Sequence, residues 1–113
     1  MATIVFPDGR AWVSGGVGFR AVLDAARDAA PVTQFESEQF QLFEALKDVS
    51  LADLHDEWRT RLDQRLLQAV RRLRAEPAEA GRSDAWTAEW HDLLDELERY
   101  ALADLQNSTL DGA

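Results

Sequence analysis

The 113 residues suffice for one domain with its own core, and the absence of cysteine excludes disulfides and thiolate metal sites. The formal net charge of −9 argues against direct nucleic-acid binding, since phosphate contacts need a basic face. The N-terminus lacks the basic and apolar regions of a signal peptide, and no stretch is apolar enough to span a membrane. We therefore expect a cytoplasmic protein without membrane contact.

Residues 1–16 predict a β-hairpin followed by a glycine-rich turn. Two short apolar runs, residues 4–6 and 11–13, flank a Pro-Asp-Gly turn, in which proline presets φ and glycine accepts a positive φ. The large rings of Trp12 and Phe19 have little else to pack on. We therefore expect both to be buried between the hairpin and the first helix.

Two helices are expected after the glycine turn. The first covers about residues 18–30, where an apolar face repeats with helical spacing until Pro31 ends it. Thr33 and Glu36 then match the capping box, in which a hydroxyl and a carboxylate satisfy each other's backbone amides. The second helix is expected to run to about Lys47 and to bury Phe35, Leu42, Phe43 and Leu46.

The third and fourth helices have the longest apolar periodicity. Ser50 is expected to open the third helix, whose apolar stripe consists of Leu51, Leu54, Trp58, Leu62, Leu66, Ala69 and Leu73. A polar connection over residues 76–84 leads to the fourth helix, which Ser83 or Asp84 can cap. Its buried face is expected to comprise Trp86, Trp90, Leu93, Leu97, Tyr100, Ala101 and Leu105.

These elements define a single α+β domain, residues 1–113, that is mainly helical. The N-terminal β-hairpin packs on about four helices within residues 17–106, and the last two helices form a long antiparallel pair. Everything after residue 33 has a helical pattern, so no third strand is expected. Residues 107–113 are expected to be a flexible tail.

Residues 16–21 fit the G-x-G-x-x-A form of the dinucleotide-binding fingerprint, with Glu36 at the distance where the ribose-binding acid stands. Such a site requires a parallel sheet of several strands, which the helical remainder of the chain does not supply. We favour a flexible turn that lets the hairpin fold back onto its helix.

The order of hairpin, glycine turn and helix resembles the start of a β-grasp domain, on residues 4–9 (IVFPDG) and 22–26 (VLDAA). The resemblance covers the first thirty residues. It implies two more strands after the helix, where this chain has a capped helix instead, and no functional residue is carried over from it.

His55 and His91 are the only histidines, and each has carboxylates nearby. Neither has a glutamate three residues before it, which the carboxylate metal sites of helical bundles require. His55 falls within the apolar stripe of the third helix and His91 at the edge of the stripe of the fourth. Both positions are typical of half-buried histidines with a hydrogen-bond partner, so we predict no metal and no cofactor.

Catalysis has little support in the sequence. A nucleophile would have to be a serine, and no serine lies in a G-x-S-x-G elbow. We predict that the chain is not an enzyme. The alternative is a small enzyme or ligand-binding domain that uses the Gly16–Gly18 turn, His55 or His91.

The acidic charge is concentrated at the C-terminal end. Residues 1–32 are neutral, residues 33–49 carry −3, residues 50–76 carry +1 and residues 77–113 carry −7. The third helix has a row of arginines on one flank, and the fourth has a row of acids that antiparallel pairing would place opposite it: Arg61, Arg65 and Arg72, and Glu89, Asp92 and Glu96. Even if these rows pair, the surplus of acids needs solvent or a basic partner.

We therefore predict a non-catalytic module that binds or inhibits a protein with a basic surface, in the manner of immunity proteins, antitoxins or nucleic-acid mimics. Its expected contact residues are Trp86, Glu89, Trp90, Asp92, Asp95 and Glu96. Because a lone hairpin leaves open strand edges, we also expect a homodimer. A purely structural homo-oligomer subunit is a further alternative.

Overall fold

The structure is a computed structural model that describes residues 1–76 and 81–111. Its strands are β1 (Ala2–Val5), β2 (Ala11–Ser14) and β3 (Asp48–Ser50). Its helices are α1 (Gly16–Asp28), α2 (Gln34–Leu46), α3 (Asp56–Ala75) and α4 (Asp84–Asp111), with a 3₁₀ turn at Leu51–Asp53 before α3. The α+β, mainly helical class is confirmed. Residues 77–80 of the predicted polar connection lie outside the described residues.

The three strands form one mixed sheet in the order β2, β1, β3. Ile4 of β1 pairs with Trp12 in the antiparallel ladder to β2 and with Val49 in the parallel ladder to β3. The prediction that no third strand exists was therefore wrong. Lys47 ends α2 in the left-handed conformation, at φ 54°, and turns the chain into a strand too short to show an alternating pattern.

The third strand changes the setting of the hairpin. It occupies one edge of β1, so the hairpin is not the isolated two-stranded unit from which we expected a homodimer. The resemblance to a β-grasp domain implied two strands after the first helix, and the structure has one, β3, which follows α2. The residues described here contain no second one.

The core lies where α3 packs between α1 and α4, and both α1 and α4 also contact the sheet. Trp12 and Phe19 are buried, as predicted. Within the predicted stripe of the third helix, the fully buried members are Leu51, Trp58, Leu62, Leu66 and Ala69. Two charge contacts show that α3 and α4 run antiparallel, because Arg74 reaches Glu98 whereas the earlier Arg59 reaches the later Asp104.

The first helix, predicted for about residues 18–30, begins and ends two residues earlier, and the last two helices differ more from the prediction. The third α-helix begins at Asp56 and not at Ser50, because residues 51–53 form the 3₁₀ turn. The fourth helix continues through the predicted flexible tail as far as Asp111, and residues 112–113 lie outside the described residues. The cap at Ser83 is confirmed, since its hydroxyl accepts the Trp86 amide at 3.0 Å.

The buried face of α2 is not the one that the sequence predicted. Phe43 is buried, but Phe35, Leu42 and Leu46 are 46%, 48% and 64% exposed. The core-facing residues are Glu36, Phe40 and Phe43, whose spacing defines a neighbouring face of the helix. The helix is rotated because the Glu36 carboxylate is held inside the protein.

Arg65 holds that carboxylate. Its guanidinium is only 7% exposed and lies 3.4 Å from Glu36 Oε2. It also donates to four main-chain carbonyls at and after the end of α1, at 2.8–3.3 Å, those of Ala26, Arg27, Ala30 and Pro31. Carbonyls at a helix end lack partners within their helix, so Arg65 caps α1 from a different helix.

The Glu36 carboxylate in turn belongs to the predicted capping box, which the structure confirms. The Thr33 amide donates to Glu36 at 3.0 Å, and the Glu36 amide donates to the Thr33 hydroxyl at 3.1 Å. Burial alone would raise the pKa of Glu36. The hydrogen bonds of Thr33 and the positive charges of Arg65 and Arg61 outweigh it and lower the pKa, so the carboxylate is ionised at neutral pH.

We expect Arg65→Met to lower the free energy of unfolding by about 3–5 kcal/mol, because it leaves a buried carboxylate and several carbonyls without this donor. Urea denaturation followed by circular dichroism measures the change. Arg71→Met is the matched control, since Arg71 is exposed on the same helix and belongs to none of the ion pairs of the described residues. Equal stability of both variants would refute the role given to Arg65.

Candidate functional site

A cleft of about 430 Å³ lies between the glycine-rich turn and the N-terminal half of α4. Its walls come from three distant parts of the chain: the β2–α1 turn, the end of α3 and the start of α4. The residues that give it its chemical character are Gly18, Glu76, Arg82, Trp86, Glu89 and Trp90. This volume lies within the range of protein binding pockets.

The absence of a side chain at Gly18 positions the cleft wall. A Cβ atom there would lie 2.9 Å from Cζ3 of Trp90, so the indole packs directly on the backbone of α1. The Nε1–H of Trp12 donates to the Leu93 carbonyl at 2.7 Å and fastens α4 to β2 a few residues further on. These two contacts hold the start of α4 against the hairpin and α1.

Two tryptophans and an arginine form the aromatic side of the cleft. The rings of Trp86 and Trp90 stack with centroids 6.2 Å apart and planes inclined by 26°. The guanidinium carbon of Arg82 lies 4.3 Å from the centroid of the Trp86 ring, within the range of a cation–π contact. Both indoles are only half-buried and therefore present aromatic surface to an incoming group.

The predicted partner-binding residues all lie on α4, but their surroundings differ. Trp86, Glu89 and Trp90 line the cleft, while Asp92 is exposed further along α4 and Glu96 is partly buried. Asp95 is an ion-pair partner of Arg74 and so belongs to the α3–α4 interface. Asp95 therefore differs from the other acids of the predicted surface, because it already has a cation.

The predicted pairing of arginine and acid rows between the last two helices is wrong. Arg61 and Arg65 contact Glu36, and Arg72 contacts Asp28 and Glu76. These arginines point toward α1 and α2 because α3 packs between α1 and α4. The ion pairs that do join α3 to α4 involve Arg74 with Asp95 and Glu98, and Arg59 with Asp104.

The two histidines lie in different places. His91 is half-buried and lines the cleft together with the glycine turn. His55 is exposed and caps α3, since its Nδ1 accepts the Trp58 amide at 3.3 Å, and its ring stacks on Phe35. The predicted place of His55 within the apolar stripe was wrong because the α-helix begins after it.

The candidate dinucleotide and metal sites gain no support from the geometry. Glu36, the acid expected to bind a ribose, is held by Thr33 and Arg65 and is not a cleft residue. Among the residues that the structure describes, no three histidine or carboxylate side chains form a group able to hold a metal ion. Within the same residues, no helix combines the length and the hydropathy needed to cross a membrane.

A second cluster, which the sequence analysis missed, is a pair of buried carboxyl groups between α3 and α4. Asp63 is fully buried and Asp104 is 6% exposed, with Arg59 Nε 3.6 Å from Asp104 Oδ2. Burial, then the hydrogen bond to Asp104 and its negative charge, raise the pKa of Asp63 to about 10, although Arg59 opposes the shift. With this raised pKa, the buried Asp63 keeps its proton at neutral pH.

The sequence contained a signal for this pair. Asp63 precedes the buried Leu66, Leu67 and Val70 at helical spacing, and Asp104 follows Leu97 and Ala101 in the same way. An acid on an apolar stripe indicates a buried and perturbed carboxyl group. Neither residue lines the cleft between the glycine-rich turn and α4, and both are buried between α3 and α4, so we assign the pair to the packing of these two helices.

Comparison with known proteins adds no family. No protein-family model matches the chain, and neither a curated protein nor a solved structure matches it. The function is therefore argued from the geometry of the described residues.

We expect Gly18→Ala to lower the free energy of unfolding by about 1–3 kcal/mol, since the new methyl group displaces Trp90. Gly16→Ala is the matched control in the same helix turn, where no atom lies within 4 Å of the new carbon. Alanine is the better helix former, so the control should be neutral or stabilising. Urea denaturation of both variants measures the difference, and a Gly18→Ala variant as stable as the control would contradict this packing.

The buried carboxyl pair predicts a pH dependence of stability. The folded state keeps a proton on Asp63 that the unfolded chain, with an ordinary pKa, loses near pH 4. The stabilisation that this proton gives to the folded state is complete below about pH 4. It decreases as the pH rises toward 10, by at most about 1.4 kcal/mol per pH unit.

Asp63→Asn is the test, because an amide keeps a hydrogen-bond donor toward Asp104 and does not titrate. We expect the variant to gain stability over the wild type as the pH is raised from 5.5 to 8.5, as measured by urea denaturation at several pH values. Asp92→Asn, at an exposed site on α4, should follow the wild-type curve. Parallel curves for Asp63→Asn and the wild type would refute the buried proton.

Proposed function

We propose that this protein is a non-catalytic interaction module that recognises a basic surface on a partner protein through the acidic flank of α4. The acidic flank comprises Glu89, Asp92 and Glu96, which recur at helical spacing along one side of the helix. Among the described residues, no cation lies within 4 Å of these three carboxylates. Their charge is therefore available to a partner.

The acids in the earlier part of the chain have different surroundings from those of the acidic flank. Most of the carboxylates before residue 77 have an arginine within 4 Å: Asp8, Asp24, Asp28, Glu36, Asp56, Glu57 and Glu76. The acidic flank differs from these residues and lies in the segment with the largest net negative charge, −7. A concentrated field of one sign accelerates the encounter with an oppositely charged protein.

The position of Glu89 is the observation that most supports this proposal. It belongs to the acidic flank and also lines the cleft beside Trp86 and Trp90. An aromatic cleft bordered by charge is the arrangement of many interface centres, where a few buried anchors supply most of the affinity and the surrounding charges set the rate of association. Inhibitory modules such as immunity proteins and antitoxins are the functional class to which we assign the chain.

Two alternatives have specific observations in their favour. The cleft brings together the glycine turn and His91, as a small-ligand site would require, whereas His55 lies elsewhere. The exposed apolar face of α2, with Phe35, Leu42 and Leu46, favours a homodimer or a structural oligomer more than the hairpin does. Homodimerisation therefore remains a prediction, and the surface that we now expect it to use is the exposed apolar face of α2.

The test of the proposed function is a charge reversal of the acidic flank, with Lys at Glu89, Asp92 and Glu96. A partner captured from the native host and identified by mass spectrometry supplies the second component. We expect the triple variant to associate at least about tenfold more slowly at low salt and with a weaker salt dependence, as measured by stopped-flow or surface plasmon resonance. Asp95 is left intact because its pair with Arg74 belongs to the fold.

The matched control reverses three exposed acids on another part of the surface, Glu38, Asp48 and Asp53. It changes the net charge by the same amount and should slow association much less. If the control slows association as much as the variant of the acidic flank does, net charge and not this surface determines recognition. The proposal is then wrong.

A further inference from the structure

We infer that the cleft binds the side chain of an arginine that the partner protein supplies, and that Arg82 occupies this place in the free protein. The inference names the anchor of the proposed interface and so rests on the proposed function. Its physical basis, the affinity of the cleft for a guanidinium group, can be tested without the partner.

The contact between Arg82 and Trp86 shows which chemistry the cleft accepts. The guanidinium carbon lies 4.3 Å from the ring centroid, and the stacked Trp90 ring extends the aromatic surface beside it. A guanidinium group is planar and weakly hydrated, so it stacks on an indole face better than an ammonium group does. The contact of Arg82 with Trp86 therefore shows, within the protein itself, that a guanidinium group can bind in the cleft.

The charges of the lining favour a cation. Glu76 and Glu89 both line the cleft, and among the described lining residues Arg82 is the one arginine or lysine. Glu76 already lies 3.5 Å from Arg72, whereas no ion pair of the described residues includes Glu89, so Glu89 is the lining carboxylate available to a second guanidinium. Carboxylates at the rim supply the planar, charge-assisted hydrogen bonds that arginine forms better than lysine.

Arg82 lies outside α4, on backbone that allows its side chain to change direction. It precedes Ser83, whose hydroxyl caps α4 through the Trp86 amide, so Arg82 itself is not part of the helix. The neighbouring Gly81 has a positive φ of 88°, and Arg82 is exposed. Moving this side chain therefore breaks no backbone hydrogen bond of α4, and about 430 Å³ of the cleft is open while Arg82 is in place.

The test uses N-acetyl-argininamide as the probe and the protein as it exists, labelled with ¹⁵N. The indole N–H signals of Trp86 and Trp90 should shift with a saturable dependence on the probe concentration. That of Trp58 serves as the internal control, because its ring is buried and it does not line the cleft. The neutral analogue N-acetyl-citrullinamide, which keeps the shape without the charge, should cause no saturable shift.

Two variants decide whether Arg82 is the resident occupant. We expect Arg82→Ala to bind the probe about two- to fivefold more tightly, since it removes a competing guanidinium and a positive charge. Glu89→Gln should weaken binding, whereas Arg99→Ala, at an exposed position further along α4, should leave it unchanged.

The outcomes separate this inference from the proposed function. The guanidinium site is refuted if N-acetyl-citrullinamide shifts the indole signals of Trp86 and Trp90 as much as the arginine probe does. It is also refuted if Arg82→Ala binds the probe no more tightly than the wild type. The charge reversal of the acidic flank can still slow association in that case, which would leave the proposed function intact. If the probe titration confirms the guanidinium site but the reversal does not slow association, the cleft binds a guanidinium group and the proposed function is refuted.

Discussion

The buried guanidinium of Arg65 is the constraint on which the arrangement of the first three helices depends. The end of α1 exposes carbonyl groups, and Pro31 follows where a helix C-terminus would otherwise continue its hydrogen bonds. Arg65 of α3 supplies these carbonyls with donors and the Glu36 carboxylate with a counter-charge. Such a network stabilises the fold only when every buried group has a partner, so α1, α2 and α3 must meet at this point.

This arrangement determines where charge remains available. Among the described residues, Arg61, Arg65 and Arg72 of α3 contact acids of α1 and α2, whereas Arg59 and Arg74 contact acids of α4. None of these ion pairs includes the acidic flank, which lies on a helix that the contacts of Gly18 and Trp12 hold in place. A charged surface on a rigid support loses less conformational entropy on binding than a mobile one.

Local patterns predicted much of the fold. The Pro-Asp-Gly turn predicted the hairpin, the capping box at Thr33 and Glu36 predicted the start of α2, and the apolar stripe of α3 predicted its buried face. Each of these features depends on residues within a few turns of one another, so the amino-acid order alone specifies it. The acidic C-terminal segment was also evident from composition, because the sum of charges does not depend on the fold.

Contacts between residues far apart in the chain decided the rest. The strand β3 has three residues, of which only Val49 is buried, and exists through its pairing with β1. The rotation of α2 follows from Arg65, which lies on another helix, and the cleft exists because Gly18 admits Trp90. By itself the sequence determined the class of fold, the strongest helix and the excess of acid near the C-terminus. Tertiary structure alone decided which charges are compensated and which surfaces remain open, because burial and pairing depend on partners that a local pattern does not contain.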